Sequence, residues 1–200
     1  METNCSGIIL AGGASNRMGV DKRFLHIRDK PLILWVLEHL RPLVDEVIIA
    51  ALEPTRFDGL GARIVTDVYP GQGVLAGVHA GLAAARGEWA FVVAGDMPLL
   101  NPALLRAMAH LAQESEADII VPQWQGGLEP LHALYRPSVC APAAEAALQA
   151  GKRRIIAFYP DVRVHIMPRA NVAQWDPEGH SFFNVNTPED WEQARRLLEG

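Results

Sequence analysis

The strongest fold signal in this chain is Ser6-Gly-Ile-Ile-Leu-Ala-Gly-Gly-Ala-Ser-Asn-Arg-Met-Gly-Val-Asp-Lys22. Its first five residues are mostly apolar and predict a short buried strand, and a glycine-rich segment follows at once. Glycines let the backbone approach a ligand and turn its N–H groups toward phosphate oxygens. Arg17 and Lys22 can add cationic contacts. The stretch therefore predicts a strand that leads into a phosphate-binding loop.

The loop differs from two well-known phosphate-binding motifs. The spacing G-x-x-x-x-G-K-[ST] is absent, and so is G-x-G-x-x-G. A tight glycine turn with solvated charges is the alternative interpretation. The preceding strand and the two basic residues favour phosphate binding.

The rest of the chain alternates between short apolar runs and segments with helical spacing. Further strands are predicted at 46–51, 62–66, 89–94, 117–121 and 162–167, the last as an edge strand, and helices at 31–40, 73–86, 137–150 and after Pro188. Asn101-Pro102 is typical of an N-cap followed by the first residue of another helix. After residue 122 the pattern is looser, and 126–135 is predicted as a strand with a loop. Repeated βα units imply a mostly parallel sheet with helices on both faces. We predict a three-layer, Rossmann-like α/β fold in a single domain, 1–200.

Composition excludes several classes of protein. A formal net charge of −5 argues against a general nucleic-acid binder. No apolar run approaches the roughly 20 residues of a membrane span, and no secretory signal opens the chain, so a cytoplasmic protein is expected. Cys5 and Cys140 are too few for a disulfide framework and are expected to be buried, inert thiols.

The segment Val92-Val93-Ala94-Gly95-Asp96-Met97-Pro98 delivers one carboxylate at the end of a predicted strand. Ligands of open α/β sheets bind at the carboxyl ends of strands, and magnesium is often held by one or two carboxylates plus substrate phosphates. Asp96 is thus a candidate magnesium ligand. The alternative is an aspartate that only makes a turn before Pro98.

A second acid, Asp67, ends another predicted strand and precedes a flexible loop. The helix after that loop carries Gly73, Gly77 and Gly81 on one face, which indicates that a strand or a ligand packs very close there. A helix N-terminus also favours anions. The alternative is a surface loop with a helix packed on the sheet.

Two segments of the C-terminal half also carry candidate ligand-binding residues. Asn184-Val-Asn-Thr-Pro-Glu-Asp190 begins a helix with a capping-box-like pattern, and its two asparagines could reach a metal or a ligand. Lys152-Arg-Arg154 is the densest basic cluster of an acidic chain. It is either a solvated helix start or a site for an anionic ligand.

Taken together, these motifs resemble the molybdenum cofactor guanylyltransferase family over nearly the whole chain. The segment Glu129-Pro-Leu-His-Ala-Leu-Tyr135 resembles this family in particular. The resemblance implies a nucleotidyltransferase fold and transfer of GMP from GTP to molybdopterin, with release of pyrophosphate and with Mg²⁺ as the cofactor. A molybdoenzyme or its chaperone is a further expected partner, whereas nucleic acid and membrane are not.

The resemblance also implies roles for individual residues. Those expected to bind the nucleotide are Leu10, Ala11, Gly12, Gly13, Arg17, Lys22, Asp67 and Asp96, with Lys22 and Asp96 catalytic and Asp96 holding the metal. Those expected to bind the acceptor are Gly73, Gly77, Arg154, Asn184 and Asn186. The N-terminal half would therefore bind the nucleotide and the C-terminal half the acceptor.

The chain departs from the family at two positions. Val74 stands where the family usually has proline, and Ala50 stands where a polar asparagine is expected. Two alternatives stay open: a cytidylyltransferase acting on the same pterin or on another phosphorylated acceptor, and a nucleotide-binding module without catalytic activity.

Overall fold

The computed structural model describes residues 4–12 and 22–199. Its strands are β1 Cys5–Leu10, β2 His26–Ile27, β3 Lys30–Pro31, β4 Glu46–Ala50, β5 Arg63–Val65, β6 Trp89–Ala94, β7 Ile119–Trp124, β8 Gly127–Leu128, β9 His132–Tyr135 and β10 Val164–Met167. Its α-helices are α1 Leu32–Leu40, α2 Val74–Ala84, α3 Pro102–Glu114, α4 Pro137–Gln149, α5 Arg169–Val172 and α6 Pro188–Glu199. The predicted strands and helices are present, with ends that differ by at most three residues.

Eight of these strands form one sheet in the order β10-β7-β9-β6-β1-β4-β5, with β8 paired to β7. The pairs β1–β4, β1–β6, β4–β5 and β7–β10 are parallel. Strand β9 lies antiparallel between β6 and β7. The sheet is therefore mostly parallel, as predicted, and β10 is an edge strand.

Helices cover both faces of the sheet because successive residues of a strand point to opposite sides. Ile9 of β1 packs with α1 and α3 on one face. Its neighbour Ile8 packs with α2 and α4 on the other face. The prediction of a three-layer α/β fold is confirmed. Both cysteines are free and buried, and burial raises the pKa of each thiol to about 12.

Two helix caps follow the sequence signals. Asn101 Oδ1 accepts hydrogen bonds from the N–H groups of Ala103 and Leu104 at the start of α3. At the start of α6, the Asp190 N–H donates to Thr187 Oγ1 and the Thr187 N–H donates to Asp190 Oδ2.

Gly87, which follows α2 at a distance that suits a helix cap, does not cap it. The helix ends at Ala84, and Ala85 is extended. A side chain at Gly87 would lie 2.6 Å from the Ser6 backbone nitrogen. The lack of a side chain at Gly87 therefore allows its loop to pack close to β1.

The glycines on α2 meet three different surroundings. A methyl group at Gly81 would overlap the Ile8 side chain of β1. At Gly77 it would lie 3.7 Å from Leu10 Cδ2, an ordinary contact distance. Gly73 precedes the helix with a φ of 76°, which favours glycine. The close packing expected on this face of the helix is therefore found where Gly81 packs against strand β1.

We expect Gly81→Ala to destabilise the protein by up to about 2 kcal/mol. Overpacking against the stiff, buried Ile8 costs about 1–3 kcal/mol, which exceeds the gain in helix propensity of about 1 kcal/mol. Urea denaturation measures the difference, and Gly77→Ala on the same helix is the matched control. Equal stability of the two variants would contradict the packing argument.

Candidate active site

The end of β1 and the end of β6 meet at the carboxyl edge of the sheet. Leu10 lies opposite Ala94, and the Gly95 N–H donates to the Leu10 carbonyl at 3.0 Å. A Cβ at Gly95 would lie only 3.2 Å from that oxygen. The next residue, Asp96, is therefore held beside the start of the glycine-rich segment. Strands β4 and β5 lie on one side of β1, whereas β6 lies on its other side. The α/β folds commonly bind ligands at such a switch in strand order.

The turn that carries Asp96 is tied to the segment before α6. The Val185 N–H donates to the Asp96 carbonyl at 3.0 Å. This bond brings Asn184 and Asn186 to the same edge. The Asn184 side chain donates to the Phe182 carbonyl, and the Asn186 N–H donates to Asp190 Oδ2. Both asparagines thus have local structural partners as well as a place near Asp96.

A cavity of about 280 Å³ opens between β1, β4 and α2. Five of the predicted site residues line it, namely Leu10, Gly12, Asp67, Gly73 and Gly77. Gly73 and Gly77, which were expected on the acceptor side, therefore share a cavity with residues expected to bind the nucleotide.

The two departures from the family pattern, Ala50 and Val74, line the same cavity. Ala50 puts no polar side chain there. Val74 is 41% exposed, and the neighbouring wall residue Leu52 is 53% exposed. The cavity therefore has an accessible apolar wall.

Asp67 supplies the negative charge of this cavity. Its Oδ1 is buried and has no hydrogen-bond partner among residues 4–12 and 22–199. A buried acceptor that lacks a donor is unfavourable, so a ligand donor nearby would stabilise the site.

The basic segment Lys152–Arg154 borders this cavity. It is exposed, and the Arg153 carbonyl oxygen lies 3.5 Å from the position that a Cβ of Gly73 would take. A helix beginning at Arg153 is not found. Helix α4 ends at Gln149, Arg154 is extended, and a 3₁₀ helix spans Ile155–Asp161. The arginines therefore precede a short, tight helix.

Some predicted residues can be placed only partly. Ala11 is buried, and its N–H donates to the Ala50 carbonyl. Lys22 begins a short 3₁₀ helix, Lys22–Phe24. Gly13, Arg17 and the Lys22 side chain lie outside the described part of the chain.

A metal ion at this edge would need ligands from the substrate as well as from the protein. No group of three or more His, Cys, Asp or Glu side chains suited to a metal occurs in the described part of the chain. Asp96 is partly buried at the carboxyl edge. One carboxylate joined by phosphate oxygens is a usual arrangement for magnesium.

Two other cavities, of about 310 and 440 Å³, lie away from this edge. Cys5 and Trp89, the first residues of β1 and β6, line the smaller of them. None of the predicted site residues lines either cavity. The amino edge of the sheet is thus separate from the candidate site.

The segment Glu129–Tyr135 has a structural role that the sequence pattern left open. His132 pairs with Val93 of β6, so the turn before it lies at the carboxyl edge. Glu129 is half-buried there, and this burial raises the pKa of its carboxyl to about 7. The looser pattern after residue 122 comes from this reversed strand.

His132 is fully buried, with its ring edge-to-face against Phe182 at 5.0 Å. Burial lowers its pKa to about 4, and the negative charge of Asp176 opposes that shift in part. Neither ring nitrogen has a hydrogen-bond partner in the described residues. His132 is therefore a neutral core residue and unsuited to proton transfer near pH 7.

Residues 7–164 match the MobA-like NTP transferase domain. The chain belongs to this family. It is 36% identical over 202 residues to a probable molybdenum cofactor guanylyltransferase of Natranaerobius thermophilus, covering 99% of this chain and 98% of that protein. A probable molybdenum cofactor guanylyltransferase of Pelotomaculum thermopropionicum is 39% identical, with 97% and 93% covered.

A crystal structure supports the same relationship. Molybdopterin-guanine dinucleotide biosynthesis protein A of Archaeoglobus fulgidus superposes with a TM-score of 0.83 at 29% identity, covering 97% of this chain and 98% of that one. The resemblance to the molybdenum cofactor guanylyltransferase family is confirmed, and this MobA-like transferase is a nucleotidyltransferase. In its described residues, no helix combines the length and apolarity needed to cross a bilayer.

We expect His132 to make the stability of this MobA-like transferase depend on pH. The unfolded chain binds a proton below about pH 6.5, whereas folded His132 stays neutral down to about pH 4. The stability that neutral His132 contributes is complete above about pH 6.5 and is lost as the pH falls toward about 4. Between pH 6.5 and 4.5 the wild type should lose about 2–3 kcal/mol more than His132→Leu.

Denaturant unfolding of both proteins at several pH values measures this difference. Glu129 acts in the opposite direction, because its raised pKa favours the folded state at low pH. It is present in both proteins, so its contribution cancels in the comparison. Parallel pH profiles would contradict the neutral, buried state of His132.

Proposed function

We propose that this nucleotidyltransferase transfers GMP from GTP to molybdopterin and releases pyrophosphate. The observation that carries the proposal is the junction of β1 and β6, which joins the glycine-rich segment to Asp96 through the Gly95–Leu10 hydrogen bond. The names of the relatives supply the acceptor. Delivery of the product to a molybdoenzyme or its chaperone and a cytoplasmic location stay predictions.

The nucleotide would occupy the cavity between β1 and α2. Leu10–Gly13 would lie along the base and the phosphates, with Arg17 and Lys22 on the phosphate oxygens. Asp67 suits guanine because a carboxylate accepts hydrogen bonds, and guanine offers two adjacent donors, its N1–H and its 2-amino group. The apolar wall of Leu52 and Val74 would cover the ring.

The acceptor would approach from the side of Arg154, Asn184 and Asn186. Its terminal phosphate would attack the α-phosphorus of GTP in line, with pyrophosphate leaving on the opposite side. Arg154 would orient the attacking phosphate, and Gly73 and Gly77 would leave room for both substrates. Catalysis of this kind depends on positioning and electrostatics and needs no covalent nucleophile.

Asp96 would hold magnesium, which would offset negative charge on the triphosphate when bound. Lys22 would add a positive charge near the leaving pyrophosphate. Asp96 and Lys22 together favour a transferase over a protein that only binds nucleotide, because simple binding does not require a carboxylate that holds a metal.

Donor choice tests the function directly. The wild type is incubated with molybdopterin, magnesium and one of GTP, CTP or ATP, and release of pyrophosphate is measured. GTP should be the preferred donor by tenfold or more, because Asp67 accepts both guanine donors. Preference for CTP would indicate a cytidylyltransferase, and no release with any donor would indicate a binding module.

Asp96→Ala should reduce transfer by at least a thousandfold, because the metal-binding carboxylate is lost. The fold should survive, since the Asp96 contact to Val185 uses the backbone carbonyl. Transfer assays report the loss, and circular dichroism reports the fold. Full activity of a folded Asp96→Ala protein would overturn the metal assignment.

Arg154→Ala should weaken acceptor binding by about tenfold and leave GTP affinity within twofold, since a charged hydrogen bond is worth about 1.5–3 kcal/mol. The loss should shrink as salt rises because the side chain is exposed. Separate titration of each substrate measures both affinities. Arg106→Ala on α3, also exposed but lining a cavity away from the carboxyl edge, is the control. Weaker GTP binding with unchanged acceptor binding would contradict this division of the cleft.

A further inference from the structure

Two buried tyrosine hydroxyls form a chain of hydrogen bonds to a backbone carbonyl. Tyr135 Oη donates to the Pro130 carbonyl at 2.8 Å, and the Tyr135 and Tyr159 hydroxyl oxygens lie 2.8 Å apart. Each hydroxyl has one proton to donate. Because the proton of Tyr135 is used by Pro130, Tyr159 must donate to Tyr135. The bonds therefore run from Tyr159 through Tyr135 to Pro130.

This chain joins two parts of the molecule that are distant in sequence. Tyr159 lies in the 3₁₀ helix Ile155–Asp161, which directly follows the exposed Arg154. Pro130 lies in the turn before β9, and the first residue of β9 pairs with Val93 of β6, three residues before Asp96. The hydroxyl chain thus links the segment after Arg154 to the strand beside Asp96.

On the opposite face of the sheet, β9 contacts a residue that precedes Asn184. His132 packs against Phe182, two residues before Asn184, while Tyr135 points to the face that carries Tyr159. Residues that flank the two segments expected to bind the acceptor therefore pack on β9, Tyr159 from one face and Phe182 from the other. A small displacement of either segment relative to β9 would change its distance from Asp96.

Packing alone does not account for the two hydroxyls. Tyr135 is 0% exposed and Tyr159 is 9% exposed. Phenylalanine at either position would fill the same space, so the ring alone explains the packing and the hydroxyl groups supply only the hydrogen bonds. What the hydroxyls add is direction, because a hydrogen bond fixes the relative placement of the groups that it joins.

We propose that Tyr135 and Tyr159 are positioning residues for the acceptor, and that their hydroxyl chain sets the place of the Arg154 segment relative to Asp96. The proposal rests on the proposed function, because it concerns the second substrate of that reaction. Neither tyrosine touches the reacting atoms. Both act through the segments that they hold.

Tyr159→Phe tests the proposal because it removes the hydroxyl and keeps the ring. We expect the dissociation constant for molybdopterin to rise at least fivefold and that for GTP to change less than twofold. The amide of Ala157, which donates to the Arg154 carbonyl, should exchange its hydrogen at least threefold faster. Titration of each substrate and amide hydrogen exchange measure these changes.

Phe158→Leu is the matched control. Phe158 is fully buried in the same 3₁₀ helix and contacts both tyrosine rings, but it has no polar group in the chain of hydrogen bonds. It should lower the melting temperature at least as much as Tyr159→Phe and leave molybdopterin affinity within twofold. An equal loss of affinity in this variant would overturn the proposal, because general loosening would then explain the effect.

Wild-type transfer assays separate the proposal from the function on which it rests. Normal transfer by the wild type with unchanged molybdopterin binding in Tyr159→Phe would overturn the positioning role alone. A wild type that binds molybdopterin without transferring GMP would overturn the proposed reaction, while the binding and exchange changes would still support the positioning role. A wild type that does not bind molybdopterin would overturn both.

Discussion

The close pairing of β1 with β6 is the constraint on which the rest of the site depends. The Gly95 N–H donates to the Leu10 carbonyl, and a Cβ at Gly95 would lie only 3.2 Å from that oxygen. A parallel register places both carboxyl ends at one edge, so Asp96 lies beside the start of the glycine-rich segment at Leu10. Every further contact of the site, from the Val185 bond to the cavity under α2, is built around this junction.

Glycines make this edge possible by removing side chains where backbones meet. Gly81 brings α2 down onto Ile8, and Gly77, one turn earlier, leaves the wall of the cavity open beside Leu10. The same stripe therefore fixes the helix at one end and leaves room for a ligand at the other. Although the chain has a net charge of −5, the exposed basic segment Lys152–Arg154 comes close to this cavity, where the Arg153 backbone lies beside Gly73.

The order of strands up to residue 121 could be predicted because each is a short apolar run bounded by turn residues. Asp67 and Asp96 could be picked out as acids at strand ends, and the structure brings both to the carboxyl edge. Strand β9 was harder to predict, because an antiparallel strand between two parallel ones leaves no distinct periodicity. Its effect on the site, through Pro130, His132 and Tyr135, depends on contacts with residues about 25 to 50 positions later.

The sequence by itself determined the layer architecture, the glycine-rich segment, the acid at the end of β6 and the caps of α3 and α6, because each depends on residues close together in the chain. Tertiary structure alone decided that Gly73 and Gly77 share a cavity with Leu10 and Asp67, and that Arg153 borders it. It also decided that His132 is neutral, since burial sets its pKa. Such properties arise from the pairing order of strands and from desolvation, and neither is encoded by local spacing.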